Sequence, residues 1–469
     1  MDRNTSAVLF FVFCLSFLAC SASDNIGQSV EAVIQPYLAK NVRLSIKIID
    51  CRTGATVYSY QPDQPLIPAS NMKIISSAAA LKYLGPDYEF KTSVALLGKS
   101  LVVVGGADPL LGDEKTDIDA GRTQGWLFDR IIKALRERHI TEIQDIIIDA
   151  AILDDQRVHP NWPKDQLNRP YACEISGLNY NGNCINITAQ KTPRKVNLTI
   201  TPSAGYVTLI NKVVAVSGGQ TQIGAYRNSK PNHITIKGRC NQAASFDVAI
   251  ERPAAFFGFL LAEKLRSEGF ILRGKLTGRK VNQPADLDIL VEHKTPIALV
   301  LERCNKDSFG LAAECLVKII AAKEDVDHGE GSWTLGTSLL ADYLKNLGID
   351  PAQFNIDDGS GLSRTNCLSA NTITTVLYHL YKSPDWPIYN RSLAVGGLDG
   401  TIRRYFTEIQ FKGNIRGKTG YIDAVRSFSG ICDTPNGQYI FSIIANNANH
   451  MPRTAINAVV QSLFMQNKD

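Results

Sequence analysis

Several things are missing from this 469-residue chain, and each absence removes a class of function. Charge of one sign is missing: 50 Lys and Arg stand against 45 Asp and Glu, a net charge of +5 spread along the chain. With no basic stripe interleaved with aromatics, the sequence argues against nucleic acid as a partner. Ten cysteines include no C-x-x-C pair, which argues against zinc and thioredoxin-like chemistry. Neither H-E-x-x-H nor G-x-S-x-G occurs. Gly413 to Thr419 looks like a phosphate-binding loop, but only three residues separate Gly413 from Gly417 where four are required. The seven histidines are isolated and read as surface or packing residues, so no metal and no cofactor is expected. Low-complexity tracts are absent, and the apolar run over residues 7–19 is too short for a comfortable membrane span.

What is present begins with an export signal. Arg3 precedes the apolar run, and the small residues Cys20-Ser21-Ala22-Ser23 follow it, so residues 1–23 read as a signal peptide. Cys20 leaves open a lipid anchor and with it a peripheral membrane association. The expected location is the periplasm or cell envelope. In an oxidising compartment Cys173 and Cys184, which flank a turn-rich stretch, could pair. Cys304 and Cys315 are expected on one helix, about 16 Å apart by helical rise, and cannot bridge.

The stretch Pro68-Ala69-Ser70-Asn71-Met72-Lys73 opens an Ala- and Ile-rich run that Gly85-Pro86 stops. Ser70 falls in the first turn of the expected helix and Lys73 one turn on, on the same face. A serine hydroxyl is a poor nucleophile at neutral pH and needs a neighbouring base. A lysine becomes that base when burial or nearby positive charge lowers its pKa. The apolar residues around it predict a buried helix.

At this length two or three domains are expected. Residues 44–50 and 57–60 read as strands, and a β-rich region of nearly 200 residues follows, interrupted by helices over 125–138 and 254–268. After Pro296 come helices over 309–322, 332–347 and 370–382, then strands over 414–419, 425–432 and 439–445 and a closing helix over 455–465. Strands at both ends predict one split α/β (α+β) domain, residues 24–92 and 290–469, whose antiparallel sheet joins the two ends and is flanked by helices. Residues 93–289 would be a β-rich accessory insertion, in two subdomains.

Lys418-Thr419-Gly420 is the only K-T-G in the chain. S-x-x-K early and K-T-G late is the pattern of penicillin-binding proteins and serine β-lactamases. The further segments Gly105-Gly106-Ala107-Asp108-Pro109, residues 162–179, Asn305-Lys306-Asp307-Ser308, residues 358–364, and Asp399-Gly400-Thr401 narrow it. Together they run almost end to end, and the chain resembles the D-alanyl-D-alanine carboxypeptidase/endopeptidase family, the class C low-molecular-mass penicillin-binding proteins. The long insertion between the first and second motifs sets it apart from β-lactamases.

The resemblance implies a DD-peptidase fold and a set of roles. Ser70 would attack the carbonyl between two D-alanines of a peptidoglycan peptide, forming an acyl-enzyme that water releases. Lys73 would take its proton, and Ser308 would relay one to the leaving amine. Lys418 would draw in the substrate's terminal carboxylate, helped by a hydrogen bond from Thr419. Gly420 completes that motif, and the backbone N–H groups of Ser70 and Tyr421 would form the oxyanion hole. β-Lactams would bind in the same place. Two positions depart from the family. Gly310 stands where the second motif, S-x-N, has an asparagine, whose loss removes an oriented amide, commonly about 1 kcal/mol or more. Tyr421 stands where a Ser or Thr usually follows K-T-G. The alternative reading is therefore a protein of the same fold that holds cell-wall peptide or partners without turnover. Residues 358–364 read as a structural turn near the cleft, and Arg403, Arg404 and Arg426 as surface residues.

Overall fold

The computed structural model describes residues 26–465 apart from 204, 283–285 and 326–328; the signal peptide expected over 1–23 lies outside the described residues. The chain forms two compact units. The first gathers Leu301–Ser308 with residues 26–82 and 340–465, and the second comprises Tyr83–Val300 and Phe309–Leu339.

The first unit is built on a six-stranded sheet in the order Ala394–Val395, Ile415–Ile422, Val425–Thr434, Gly437–Asn446, Arg43–Asp50, Thr56–Tyr60, with every neighbouring pair antiparallel. It joins the two ends of the chain, as the strand order in the sequence predicts. Strand alternation divides its two faces. Leu44, Ile46, Ile48, Phe428, Phe441 and Ile443 enter one hydrophobic core. That core is closed by Ile26, Val30 and Ile34 of a helix over residues 26–38, which sequence reasoning missed, and by Ile456, Val459 and Val460 of the helix Arg453–Gln461. The intervening positions Ser45, Ser427, Ser429 and Ser442 are small, polar and buried. Hydroxyls on that face meet the Ser70 segment and the helix Ala370–Tyr381 rather than an oily core: Ser427 donates to the Pro68 carbonyl, and Ser45 accepts from the Ala370 N–H.

The second unit has a five-stranded mixed sheet in the order Leu276–Gly278, Ile146–Asp149, Ser100–Val104, Glu89–Leu97, Asp288–Pro296. The helices Trp126–Glu137 and Pro253–Ser267 meet through Phe128 and Phe257, and the unit also holds two three-stranded sheets and a two-stranded one. Its boundaries differ from the 93–289 expected from sequence. The strand Asp288–Pro296 pairs along its length with Glu89–Leu97, which draws residues on both sides of the expected boundary into one sheet. The helix Gly310–Glu324 belongs here as well, with Trp333 Nε1 donating to its buried Glu314 at 2.7 Å. Cys304 and Cys315 do not share a helix, because Ile297–Lys306 and Gly310–Glu324 are separate. Cys173 and Cys184, for which a pairing was left open, are both free buried thiols. Among the described residues no helix is long and apolar enough to cross a membrane.

Candidate active site

Ser70, Lys73, Ser308, Lys418, Thr419, Gly420 and Tyr421 all fall in the first unit. Ser70 lies in a short 3-10 turn, Ala69–Asn71, that runs into the α-helix Met72–Leu84. The helix thus starts two residues later than Ser70, yet Lys73 still reaches back: its Nζ is 3.2 Å from Ser70 Oγ. The turn is held to the sheet by polar side chains. Asn71 Nδ2 donates to Ser429 Oγ at 2.7 Å, and Ser429 to Ser442 at 2.8 Å. Lys73 is 2% exposed, so its amine is nearly dry.

Residues 358–364 contribute more than sequence reasoning assigned them. Asp358 is the turn's organiser, accepting from the N–H groups of Gly361 and Ser363 and from Asn366 Nδ2, each at 2.7 Å. The turn delivers two carbonyls to the serine helix: Ser360 O accepts from Lys73 Nζ at 2.8 Å, and Gly359 O accepts from Ser76 Oγ at 2.7 Å. Gly361 makes the approach possible. Its φ is +81°, and a Cβ there would sit 1.8 Å from the Ala69 carbonyl oxygen.

Lys418 stands opposite Ser429 across the Ile415–Ile422 and Val425–Thr434 strands, and Gly420 opposite Ser427, so both share the face that carries Ser70. The glycine of K-T-G has a steric reason: a Cβ on Gly420 would lie 2.7 Å from the Pro68 carbonyl and 2.1 Å from Ser427 Oγ. Lys418 is fully buried, and its Nζ donates to Ser308 Oγ at 2.7 Å and to the Thr419 carbonyl at 2.8 Å. Burial, and after it the charge of Lys73, hold its amine well below the usual lysine pKa. Ser308 has φ +60°, a strained conformation for a non-glycine residue. Its segment is fixed by Asn305, whose Nδ2 donates to Ser392 Oγ at 2.9 Å, and by the Lys306–Asp399 ion pair at 3.1 Å.

That ion pair also seats Asp399-Gly400-Thr401, and Thr419 Oγ1 donates to Thr401 Oγ1 at 3.0 Å. Thr401 was visible only as part of a motif, and nothing in the sequence tied it to Thr419. Partly buried Arg453 was missed as well. Its guanidinium lies 4.6 Å from the Phe428 ring centre and donates to the Ser427 carbonyl, and burial lowers its pKa to about 10. Tyr421 is 67% exposed, with the Arg426 guanidinium 4.2 Å from its ring centre. Arg403 and Arg404 are exposed, in line with their reading as surface residues. Gly310 begins its helix in the second unit, where an added Cβ would come within 3.1 Å of the Tyr171 carbonyl.

A serine, two buried amines and a second serine bonded to one of them form an arrangement suited to acyl transfer. Comparison with known proteins agrees. The sequence pattern of the D-Ala-D-Ala carboxypeptidase 3 (S13) family matches residues 27–466. The D-alanyl-D-alanine carboxypeptidase of Actinomadura sp. (strain R39) is 27% identical over 446 residues, covering 89% of this chain and 80% of that one. The D-alanyl-D-alanine carboxypeptidase DacB of Haemophilus influenzae is 23% identical over 439 residues, covering 91% and 88%. The crystal structure of penicillin binding protein 4 from H. influenzae superposes with a TM-score of 0.79 at 20% identity, covering 93% of this chain and 98% of that one. With a match that spans nearly all of the described residues, the chain belongs to the D-Ala-D-Ala carboxypeptidase 3 (S13) family.

Proposed function

We propose that the chain is a serine-type D-Ala-D-Ala carboxypeptidase/endopeptidase that cleaves peptidoglycan peptides through an acyl-enzyme on Ser70 and is acylated by β-lactams at the same residue. The observation that carries this reading is the 3.2 Å approach of Lys73 Nζ to Ser70 Oγ in a pocket that also buries Lys418. Two amines in one dry pocket disfavour both being protonated, which favours a neutral amine able to take the serine proton. Lys73 is the proton acceptor. Lys418 faces the substrate carboxylate, and its contact with Ser308 gives a path for a proton to the leaving amine. The oxyanion is received by the backbone N–H groups of Ser70 and Tyr421. Export to the periplasm or cell envelope, by removal of residues 1–23, brings the enzyme to its substrate.

A second reading, a binding protein without turnover, rests on Gly310, which leaves the second motif without its amide. Intact mass of the mature protein after exposure to benzylpenicillin separates the two. One stable adduct per chain, lost in Ser70→Ala, is the expected result. Folded protein that takes up no adduct would give precedence to the binding reading.

A further inference from the structure

Within the second unit a cleft of about 580 Å³ opens among strand ends and the start of a helix, and no residue of the candidate active site lines it. That volume is in the range of small-ligand pockets, on the order of 300–1,000 Å³. Its apolar wall comes from Leu153, Ala254, Ala255 and Leu276. Its charged groups are unevenly matched. Asp154 is paired with the buried Lys318, and Asp155 with Arg157 at 3.4 Å. Arg252, Arg279 and Lys280 are exposed at the cleft, and among the described residues their side chains make no hydrogen bond or ion pair. Among the described residues Glu330 is the one acid on the lining that these pairs leave over, so the balance there is cationic.

The helix Pro253–Ser267 adds to that potential. Its first turn lines the cleft, and Arg252 at its N-cap provides no side-chain cap, which leaves the positive end of the helix beside the cleft. The Arg252 backbone is itself in the left-handed region, φ +58°. It is held there by Glu174 Oε2, which accepts from its N–H at 2.9 Å, and by the Tyr206 hydroxyl, which donates to its carbonyl at 3.1 Å. Among the described residues no aromatic ring lines the cleft, so a nucleobase finds no described ring to stack on. Apolar walls that include the small side chains of Ala254 and Ala255, beside unpaired guanidinium and ammonium groups, suit a carboxylate carried next to short apolar substituents.

We propose that this cleft is a second binding site, for a carboxylate-bearing ligand with alanine-sized side groups, the chemistry of an uncrosslinked cell-wall stem peptide. The source of the ligand rests on the peptidase reading above. It would hold a product or neighbouring strand while Ser70 acts elsewhere. The test is isothermal titration of the full mature chain with the free tripeptide L-Ala-γ-D-Glu-L-Lys, with the same tripeptide on its disaccharide, and with uncharged chitotriose. Arg252→Ala and the double variant Arg279→Gln/Lys280→Gln are compared with the parent, with thermal melts to confirm folding. Binding of the tripeptide that weakens at least tenfold in both variants, while benzylpenicillin acylation is unchanged, is the expected result. Binding only in the disaccharide form places the recognised carboxylate next to the sugar and still supports the site. Equal affinity in parent and variants, equal binding of chitotriose, or no binding by a parent that does form the penicillin adduct overturns it. A parent that forms no adduct overturns the peptidase reading instead, whatever the cleft binds.

Discussion

Lys418 illustrates how a single side chain is placed under tension to be useful. Its ammonium is fully buried, and its hydrogen bonds to Ser308 and the Thr419 carbonyl include no carboxylate. Burial and the neighbouring Lys73 charge both favour the neutral form, so its pKa lies well below the ordinary value of about 10.4. The sign of the consequence follows. Below the lowered pKa the charge is present and attracts a substrate carboxylate, and as pH rises through it that attraction is lost. KM for a peptide ending in free D-alanine is therefore expected to climb on the alkaline side, before a free lysine would titrate. The same peptide ending in D-alaninamide has no carboxylate to lose and is expected to show no such rise. Steady-state kinetics on the two peptides across pH 7 to 10 checks this, and parallel profiles would remove Lys418 from carboxylate recognition.

At the scale of elements, the site depends on loops that come closer to the serine turn than any side chain would allow. Gly361, at φ +81°, brings the Ser360 carbonyl to Lys73, and a Cβ there would collide with the Ala69 carbonyl. Gly361→Ala is expected to destabilise the protein by more than about 1 kcal/mol, since alanine is strained at positive φ and the loop must also shift. It should slow penicillin acylation on the order of tenfold, equivalent to about 1.4 kcal/mol of barrier. Gly348 is the control: its φ is +78°, but nothing lies within 4 Å of an added Cβ. Gly348→Ala should show the strain in a thermal melt and leave acylation alone; if Gly361→Ala acylates at the parental rate, the Ser360 carbonyl does not position Lys73. Such contacts explain what was legible in the sequence. β-Prone runs marked the late strands, and S-x-x-K and K-T-G marked Ser70, Lys73 and Lys418, because residue composition and motif spacing are local. The Gln222–Arg227 strand was missed, as a short run with a central glycine and weak alternation. The contacts of Ser360 and Thr401, residues inside the motif segments, were missed for another reason: one acts through its backbone carbonyl, and the other through a partner 18 positions away. Neither leaves a trace in residue type.

Each unit carries a large hydrophobic core of its own, one under the sheet that joins the chain ends and one around the Trp126–Glu137 and Pro253–Ser267 helices. The first of these units is discontinuous in sequence, with its site residues drawn from residues 26–82, Leu301–Ser308 and the stretch after residue 340. The sequence order of strands predicted that discontinuity but misplaced its edges, because the pairing of Glu89–Leu97 with Asp288–Pro296 is a long-range choice that no local pattern records. Chains with more than one core commonly depart from two-state unfolding, and a covalent ligand stabilises only the unit that its bound state requires. Calorimetry of the mature protein is thus expected to resolve two transitions, and acylation by benzylpenicillin to raise only one. Hydrogen exchange assigns that transition: its protected amides should lie in Val425–Thr434 and Gly437–Asn446, the interior strands behind Ser70. A single transition that moves as a whole on acylation would mean that the two cores unfold as one cooperative unit, and that Ser70 reports on the stability of the entire chain.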